Sequence, residues 1–396
     1  MGNKVCLAPW LHMHSWPNGN VYPCCLTGME DNVGNLHDKS LKEIWNDEPM
    51  RKLRRDFLDG KEPPSCVRCF EQERNGQGSL RNHINRNFEH RKDLIATTNI
   101  DGSLDNMHLA YWDFRFSNIC NFKCRSCGPQ LSSGWYDDTK KIYGSLPNDI
   151  PDPKKTINLW EQLEPYFETV EEIYFAGGEP LLMEEHYLIL QRLDEMGRHD
   201  VRLRYNTNFS TMRYKKLDAF ETWSRFKDIE IGASLDGMGP EGEFIRKGMD
   251  WQQTLANRER LRNEVPQALF FINCTTGVQN AYHIVDFYKW AVETKFINSP
   301  DDFRVNLIQF PLDQRVQVLP EHHKKELSKL YQDVIKFAID KGAVRVQDQF
   351  NPLINFMLEQ DLSEQLPFLK QKMETLDRIR NESFISTFPK LADIMQ

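Results

Sequence analysis

Nowhere in its 396 residues does the sequence hold a run approaching the roughly 20 apolar positions that a bilayer-spanning helix requires. Low-complexity tracts are also missing, and so is a surplus of basic residues. Fifty Lys and Arg stand against 58 Asp and Glu, a formal net charge of −8 that disfavours general affinity for nucleic acid or anionic membrane. The opening residues MGNKVCLAPWLHMHSW lack the basic stretch and apolar run of a secretory signal. Met1-Gly2-Asn3 has the form of an N-myristoylation start, but Cys6 stands where Ser or Thr is required. These absences lead us to expect a cytoplasmic protein. What remains is 40% hydrophobic and 27% charged, a globular composition, and too long for one ordinary core.

Cysteine is the residue in surplus. Five of the nine lie in the first 69 residues, three fall between 120 and 127, and Cys274 stands alone. In a reducing compartment such clusters are metal ligands or reactive groups more often than disulfides. Two clusters and a singleton suggest two metal sites and one core residue.

From about residue 108, short strand-like runs alternate with helical stretches. The expected strands are 108–116, 171–176, 201–206, 229–235, 268–275 and 303–310. Helices are expected over 159–167, 187–196, 214–220, 251–263 and 284–293. Six β/α units imply a parallel sheet. Alternation places Asp113, Arg115 and Ser117 on one face of the first strand. It does the same for Arg202, Arg204, Asn206 and Asn208, and for Glu230, Gly232, Ser234 and Asp236. A closed eight-stranded barrel and a doubly wound sheet both exclude such a polar face, whereas an open partial barrel with a wet lumen uses it. Residues 41–58 read as one helix, 1–75 as a small cysteine-bearing module, and 76–107 as a basic linker with Arg81, Arg86, Arg91 and Lys92. The barrel spans 108–312 and a helical extension 313–396, with helices expected over 321–341 and 366–381. The linker's charge is read as a solvated face before it is read as a substrate contact.

Cys120-Asn-Phe-Lys-Cys124-Arg-Ser-Cys127 directly follows the first expected strand. Three thiolates on one tight loop can hold three irons of a [4Fe–4S] cubane and leave the fourth iron open. S-adenosylmethionine (SAM) can chelate that iron, which sets up reductive cleavage of its S–C5′ bond to a 5′-deoxyadenosyl radical. A zinc loop would need a fourth ligand, and none is obvious nearby. One β/α unit later, Gly177-Gly178-Glu179-Pro180 ends a strand. The glycines permit close backbone approach to a ligand, and the carboxylate can accept from an ammonium group.

With these two motifs the sequence resembles the radical SAM superfamily, whose fold is a partial (β/α)6 barrel. The resemblance implies that Cys120, Cys124 and Cys127 ligate the cluster and that Gly177, Gly178 and Glu179 meet the methionine amino group. Phe122 is then near the adenine. Asn206, Asn208, Ser234 and Asp236 fall at strand ends that contact ribose and carboxylate, and Arg246 follows as a partner for that carboxylate.

In the N-terminal module, Cys6, Pro23-Cys24-Cys25 and Cys66-Val-Arg-Cys69 offer five thiols for a four-ligand site. Neighbouring side chains on an extended chain diverge, so Cys24 and Cys25 do not ligate together. The surrounding text resembles the auxiliary-cluster module called twitch, a shortened SPASM domain, here preceding the barrel instead of following it. The resemblance implies a second [4Fe–4S] cluster on Cys6, Cys24, Cys66 and Cys69, with structural zinc as the alternative. His12 and His14 are expected on the surface or in packing, and Cys274 as a buried small hydrophobe rather than a lumenal hydrogen donor.

These readings converge on an enzyme that cleaves SAM and abstracts hydrogen from a peptide or protein, assisted by the auxiliary cluster. An external electron donor such as a flavodoxin or ferredoxin would supply it. The alternatives are radical oxidation or epimerisation of a small sugar- or nucleotide-like molecule, and a non-catalytic iron–sulfur or zinc scaffold. A carrier or scaffold needs neither the GGEP loop nor a polar lumen.

Overall fold

A computed structural model describes residues 4–74, 78–148, 150, 151 and 159–396. The Met1-Gly2-Asn3 start and residues 76 and 77 of the expected linker lie outside the described residues. The chain divides into two compact units. One comprises Met1–Asn118, Pro151–Arg204 and Arg225–Asp228, the other Ile119–Ile150, Tyr205–Ser224 and Ile229–Gln396.

In the first unit, strands β1 (His12–Ser15), β2 (Asn20–Tyr22), β3 (Gly34–Asn35), β4 (Tyr111–Phe114) and β5 (Glu172–Phe175) form adjoining pairs. β1 runs parallel to β4 with His14 opposite Asp113, and β4 runs parallel to β5. β1, β2 and β3 pair antiparallel in sequence order. The cysteine-bearing N-terminal segment is therefore joined by a strand to the first strand of the expected barrel. All four residues of β1 are buried, so His12 and His14 are packing residues and not surface ones. Burial drives His12 down to about 4, which keeps it neutral as it stacks on Tyr111.

Residues 41–58 form two helices, Leu41–Trp45 and Glu48–Leu58, instead of one. Ser40 and Glu43 build a capping box on the first. Asp47, in extended conformation, caps the second, which carries Pro at its start. Two consecutive start signals override the continuous apolar period. The described part of the expected linker over 76–107 carries regular structure. It holds a helix at Leu80–Asn87 and a 3-10 segment at Glu89–Thr97. Two of its cations are held in ion pairs within the unit: Arg81 on Glu73, and Arg91 Nε on Glu171 at 2.6 Å.

Strand β6 (Arg202–Thr207) is divided by the unit boundary. Its alternation is as expected, with Leu203, Tyr205 and Thr207 buried and Arg202, Arg204 and Asn206 partly exposed. The second unit continues with a short hairpin of β7 (Arg213–Tyr214) and β8 (Leu217–Asp218), then β9 (Ile229–Ser234), β10 (Leu269–Thr276) and β11 (Phe303–Leu307). β9–β10 and β10–β11 are parallel, with helices Trp251–Glu264 and His283–Glu293 in the connections. All six expected strands are present, and the pairings are mainly parallel, as in the expected α/β partial barrel. The helix expected over 214–220 is absent. Lys215 adopts a left-handed φ of 54° that turns the hairpin, and Asp218 caps a short helix, Ala219–Trp223. The C-terminal extension has helices Glu321–Asp340, Gln347–Glu359 and Leu366–Arg380. The middle one is not expected from the sequence because Pro352 lies inside it. Cys274 is fully buried, as expected.

Candidate functional site

In the second unit the loop Cys120–Cys127 is fixed by its backbone. Arg125 N donates to Ile245 O at 2.8 Å and Lys123 N to Lys247 O at 2.8 Å. Cys127 N closes a turn on Cys124 O at 3.0 Å. The Trp135 indole N–H donates to Cys124 O at 2.9 Å, and Ser132 Oγ to Phe122 O at 2.5 Å. Two of the three thiols accept from separate donors. Cys120 Sγ accepts from Phe122 N at 3.4 Å and from Asn208 Nδ2 at 3.9 Å, and Cys124 Sγ accepts from Arg246 Nη1 at 3.9 Å.

Burial pushes the Cys124 thiol up to about 12 and raises Cys127 as well, with the Arg246 charge opposing both. Desolvated thiols of this kind ionise when a metal supplies the compensating charge, so the donor set fits an iron cluster.

Several residues expected at strand ends gather here. Asn273 Nδ2 donates to Asn206 Oδ1 at 2.6 Å across the polar face. A Cβ on Gly232 would lie 2.6 Å from that amide and 2.7 Å from Asn206 Oδ1, so only glycine leaves room for the pair. Asn208 also donates to Asn121 Oδ1 at 2.8 Å. Ser234 sits opposite Asn273 in the β9–β10 register.

Asp236 is buried and accepts from Thr275 N at 2.8 Å, while the Arg246 guanidinium grips both carboxylate oxygens at 2.8 and 2.9 Å. The fork of Arg246 is thus engaged by Asp236, and its remaining arm is directed at Cys124. Asp236 orients this cation, and neither of its oxygens is idle. The Phe122 ring is fully buried.

Gly177, Gly178 and Glu179 belong to the first unit. Gly177 has φ of 124°, and Gly178 N donates to Ser117 O at 3.2 Å, tying the GGEP loop to the chain just after β4. Glu179 is fully buried and accepts from Leu181 N at 3.1 Å.

Also in the first unit, Cys6, Cys24, Cys66 and Cys69 line one small cavity with Leu26, Leu80 and Ile84. Cys66 and Cys69 stand three residues apart at the start of helix Val67–Arg74, which places them on one face. Burial raises Cys6, Cys24 (to about 12) and Cys66 (to about 11). Four sulfurs lining one cavity fit a metal centre. Cys25 is exposed and does not line that cavity. Its thiol is raised first by desolvation of the sulfur and then by the Asp113 charge, with Arg115 opposing.

A buried network beside it is not foreseen by the sequence. His14 Nδ1 lies 2.9 Å from Asp113 Oδ2, and Arg115 Nε lies 2.7 Å from Oδ1. Burial pushes the Asp113 carboxyl up, but Arg115 and His14 overcome this and hold it well below the carboxylate range. The polar alternation of β4 is the available signal for Asp113 and Arg115. His14 carries none, because its neighbour β4 lies about a hundred residues away. Equally unforeseen are the roles of Lys123 and Arg125, the two cations flanking Cys124.

Two family models match the chain. Residues 114–291 match the radical SAM superfamily, and residues 6–70 match an iron–sulfur cluster-binding domain, SPASM. Residues 114–291 thus form a radical SAM domain, the enzyme class that this part of the fold and the site define. More particularly, a SPASM domain precedes it in the chain. The first match implies a [4Fe–4S] cluster and SAM, and the second implies auxiliary iron–sulfur binding. No curated protein matches the chain. Among solved structures, it is similar to native anSMEcpe with bound AdoMet and Cp18Cys peptide (19% identity, 56% of this chain and 57% of that chain, TM-score 0.37). It is also similar to SuiB of Streptococcus suis bound to the precursor peptide SuiA (14% identity, 79% of this chain and 67% of that chain, TM-score 0.39). A third is TYW1 with a lysine–pyruvate adduct (12% identity, 56% and 70%, TM-score 0.29). The match to anSMEcpe thus spans 57% of that chain's length. Among the described residues no helix is long and apolar enough to cross a membrane.

Proposed function

We propose that this chain abstracts hydrogen from a peptide or protein segment, with Cys120, Cys124 and Cys127 holding the SAM-binding cluster and Cys6, Cys24, Cys66 and Cys69 an auxiliary one. When bound, the cluster and SAM supply a 5′-deoxyadenosyl radical by one-electron cleavage of the sulfonium. The observation that carries the reading is the set of donors around the Cys120–Cys127 loop in the second unit. Asn208 and Arg246 direct N–H groups at two of the three sulfurs, and Asp236 fixes Arg246 by a two-pronged ion pair. N–H donation to sulfur and a fixed positive charge stabilise a thiolate and raise the reduction potential of what it ligates. Asn206 and Asn273 offer amide groups on the polar face, suited to a ribose or a substrate amide. The peptide class is chosen from the N-terminal module, which resembles twitch and SPASM domains; relatives carrying these act on peptides or proteins and also on small molecules such as sugars, which are the second reading. The low-potential electron is assigned to an external flavodoxin- or ferredoxin-like donor.

The experiment is anaerobic turnover of the reconstituted protein with SAM and candidate peptides deuterated at carbon. Deuterium appearing in 5′-deoxyadenosine is expected. Cleavage of SAM with deuterium from no peptide but from a small sugar or nucleotide would replace the substrate class, and no SAM cleavage at all would remove the proposal.

Glu179→Gln gives a narrower check. Gln keeps an acceptor for Leu181 N and removes only the charge proposed to meet the SAM ammonium. Loss of a charge-assisted hydrogen bond costs about 1.5–3 kcal/mol, so SAM affinity is expected to fall by about one to two decades with iron content unchanged. Equilibrium dialysis measures this, and wild-type affinity in the variant would cancel the role.

A further inference from the structure

We propose that helix Leu366–Arg380 and the turn after it are a working part of the cluster site, with Asp377 and Glu382 as positioning residues for the Cys120–Cys127 loop. The inference rests on the reading above that this loop holds the cluster. It concerns a segment of the chain beyond both family matches.

Arg125 lies between Cys124 and Cys127, and its side chain is 0% exposed. Burying a guanidinium in a loop is unfavourable unless its charge and donors are met. Here the charge and the two Nη groups are met from the C-terminal segment, while Nε has no hydrogen-bond partner among the described residues. Nη2 donates to Asp377 Oδ1 at 2.6 Å and to Glu382 Oε2 at 2.7 Å, and Nη1 faces Met373 Sδ at 3.4 Å. The guanidinium lies over the Phe244 ring at 3.7 Å, and Gln314 Nε2 donates to Arg125 O at 2.9 Å. The second oxygen of Glu382 pairs with Lys247 Nζ at 2.7 Å, and the Lys247 carbonyl in turn accepts from Lys123 N.

The other flank of Cys124 leads to the same helix. Lys123 Nζ pairs with Asp138 Oδ1 at 2.9 Å, and Asp138 Oδ2 with Arg380 Nε at 2.8 Å, the Asp138 and Arg380 side chains both fully buried. Arg380 lies over the indole of Trp135, the same Trp whose N–H holds Cys124 O. Asp377 and Arg380 stand three residues apart and so share a face of the helix. That one face, carrying one charge of each sign, addresses both sides of the central cysteine.

Buried ion pairs contribute little net stability compared with apolar packing, but they fix geometry. Asp377 and Glu382 do not reach the sulfurs themselves. They act through Arg125, and their loss is expected to show in the cluster before it shows in the fold.

The test uses the full-length, reconstituted protein carrying Asp377→Asn with Glu382→Gln, which keeps side-chain size and removes both charges. Three quantities are compared with wild type: the rate of iron loss from the barrel site to a chelator, the electron paramagnetic resonance of the reduced cluster with and without SAM, and circular dichroism. Iron is expected to leave about 10- to 100-fold faster, the range that loss of groups supporting metal ligands produces. The SAM-dependent spectral change should shrink while circular dichroism and the N-terminal site's iron stay as in wild type. A folded double variant with wild-type iron loss and a wild-type response to SAM overturns the proposal.

If the two carboxylate changes leave Arg125 buried and uncompensated so that the chain does not fold, Arg125→Met is added to them. This neutral combination packs without the fork. Faster iron loss and a smaller response to SAM are again expected of it, and wild-type values for both again overturn the proposal. Wild-type protein lacking a cluster on Cys120, Cys124 and Cys127 would instead sink the functional reading. A wild-type cluster indifferent to the variants sinks only this inference.

Discussion

Protein in which Cys120, Cys124 and Cys127 are all alanine is expected to cleave no SAM and to retain about half the iron of the reconstituted wild type, since each cubane holds four irons. The loop's backbone should survive the change. Its main-chain bonds to Ile245 and Lys247 and the Trp135 bond to Cys124 O involve no sulfur. Circular dichroism close to wild type is therefore expected beside the chemical loss. Iron analysis and chromatography of 5′-deoxyadenosine measure both effects. Full cleavage by the triple variant would mean that the cluster is held elsewhere.

The second large effect lies at the N-terminal site, in the contrast between two adjacent residues. Cys24→Ala is expected to lose the auxiliary metal, and Cys25→Ala to keep it, because only Cys24 shares the cavity with Cys6, Cys66 and Cys69. The cleanest background is the triple alanine variant, in which any remaining iron belongs to the auxiliary site. That protein should be brown and paramagnetic when reduced, and nearly free of zinc. A colourless protein with one tightly held zinc would assign the four sulfurs to a structural site. Metal lost from Cys25→Ala and not from Cys24→Ala would exchange the two residues without touching the barrel assignment.

Much of the site is legible in the sequence because its informative signals are local. A tight CxxxCxxC spacing, a GGEP turn and the period-two alternation of β6 and β9 each lie within a dozen residues. Alternation also identifies the polar faces that bring Asn206 and Asp236 into play. What escapes depends on partners far along the chain. Arg125 looks like a solvated residue of the motif until Asp377 and Glu382, some 250 positions later, close on it. His14 gains its partner only when β1 lies beside β4. The break in 41–58 is local and still unforeseen when the apolar period is weighed above the capping signals of Ser40 and Asp47. Arg246 is legible as a site residue, but its engagement by Asp236 is not, since a ten-residue separation does not say which way either side chain turns.

The pairing of β1 with β4 also has a bearing on the order in which the protein is made. His14 and Asp113 are 99 positions apart, so the first strand leaves the ribosome well before its parallel neighbour exists. At about 5–20 residues per second, that interval is on the order of 5–20 s. Until then β1 has only the small antiparallel sheet it forms with the short strands β2 and β3, and its other edge, which β4 will cover, is open. Non-local parallel pairing is also slow in its own right. The nascent β1–β3 segment is thus thiol-rich with an open sheet edge, vulnerable to oxidation and to strand-pairing with other chains. Pulse-labelled synthesis halted before residue 111 should therefore yield chains far more prone to aggregation than those halted after β5, the difference narrowing when iron and sulfide are supplied.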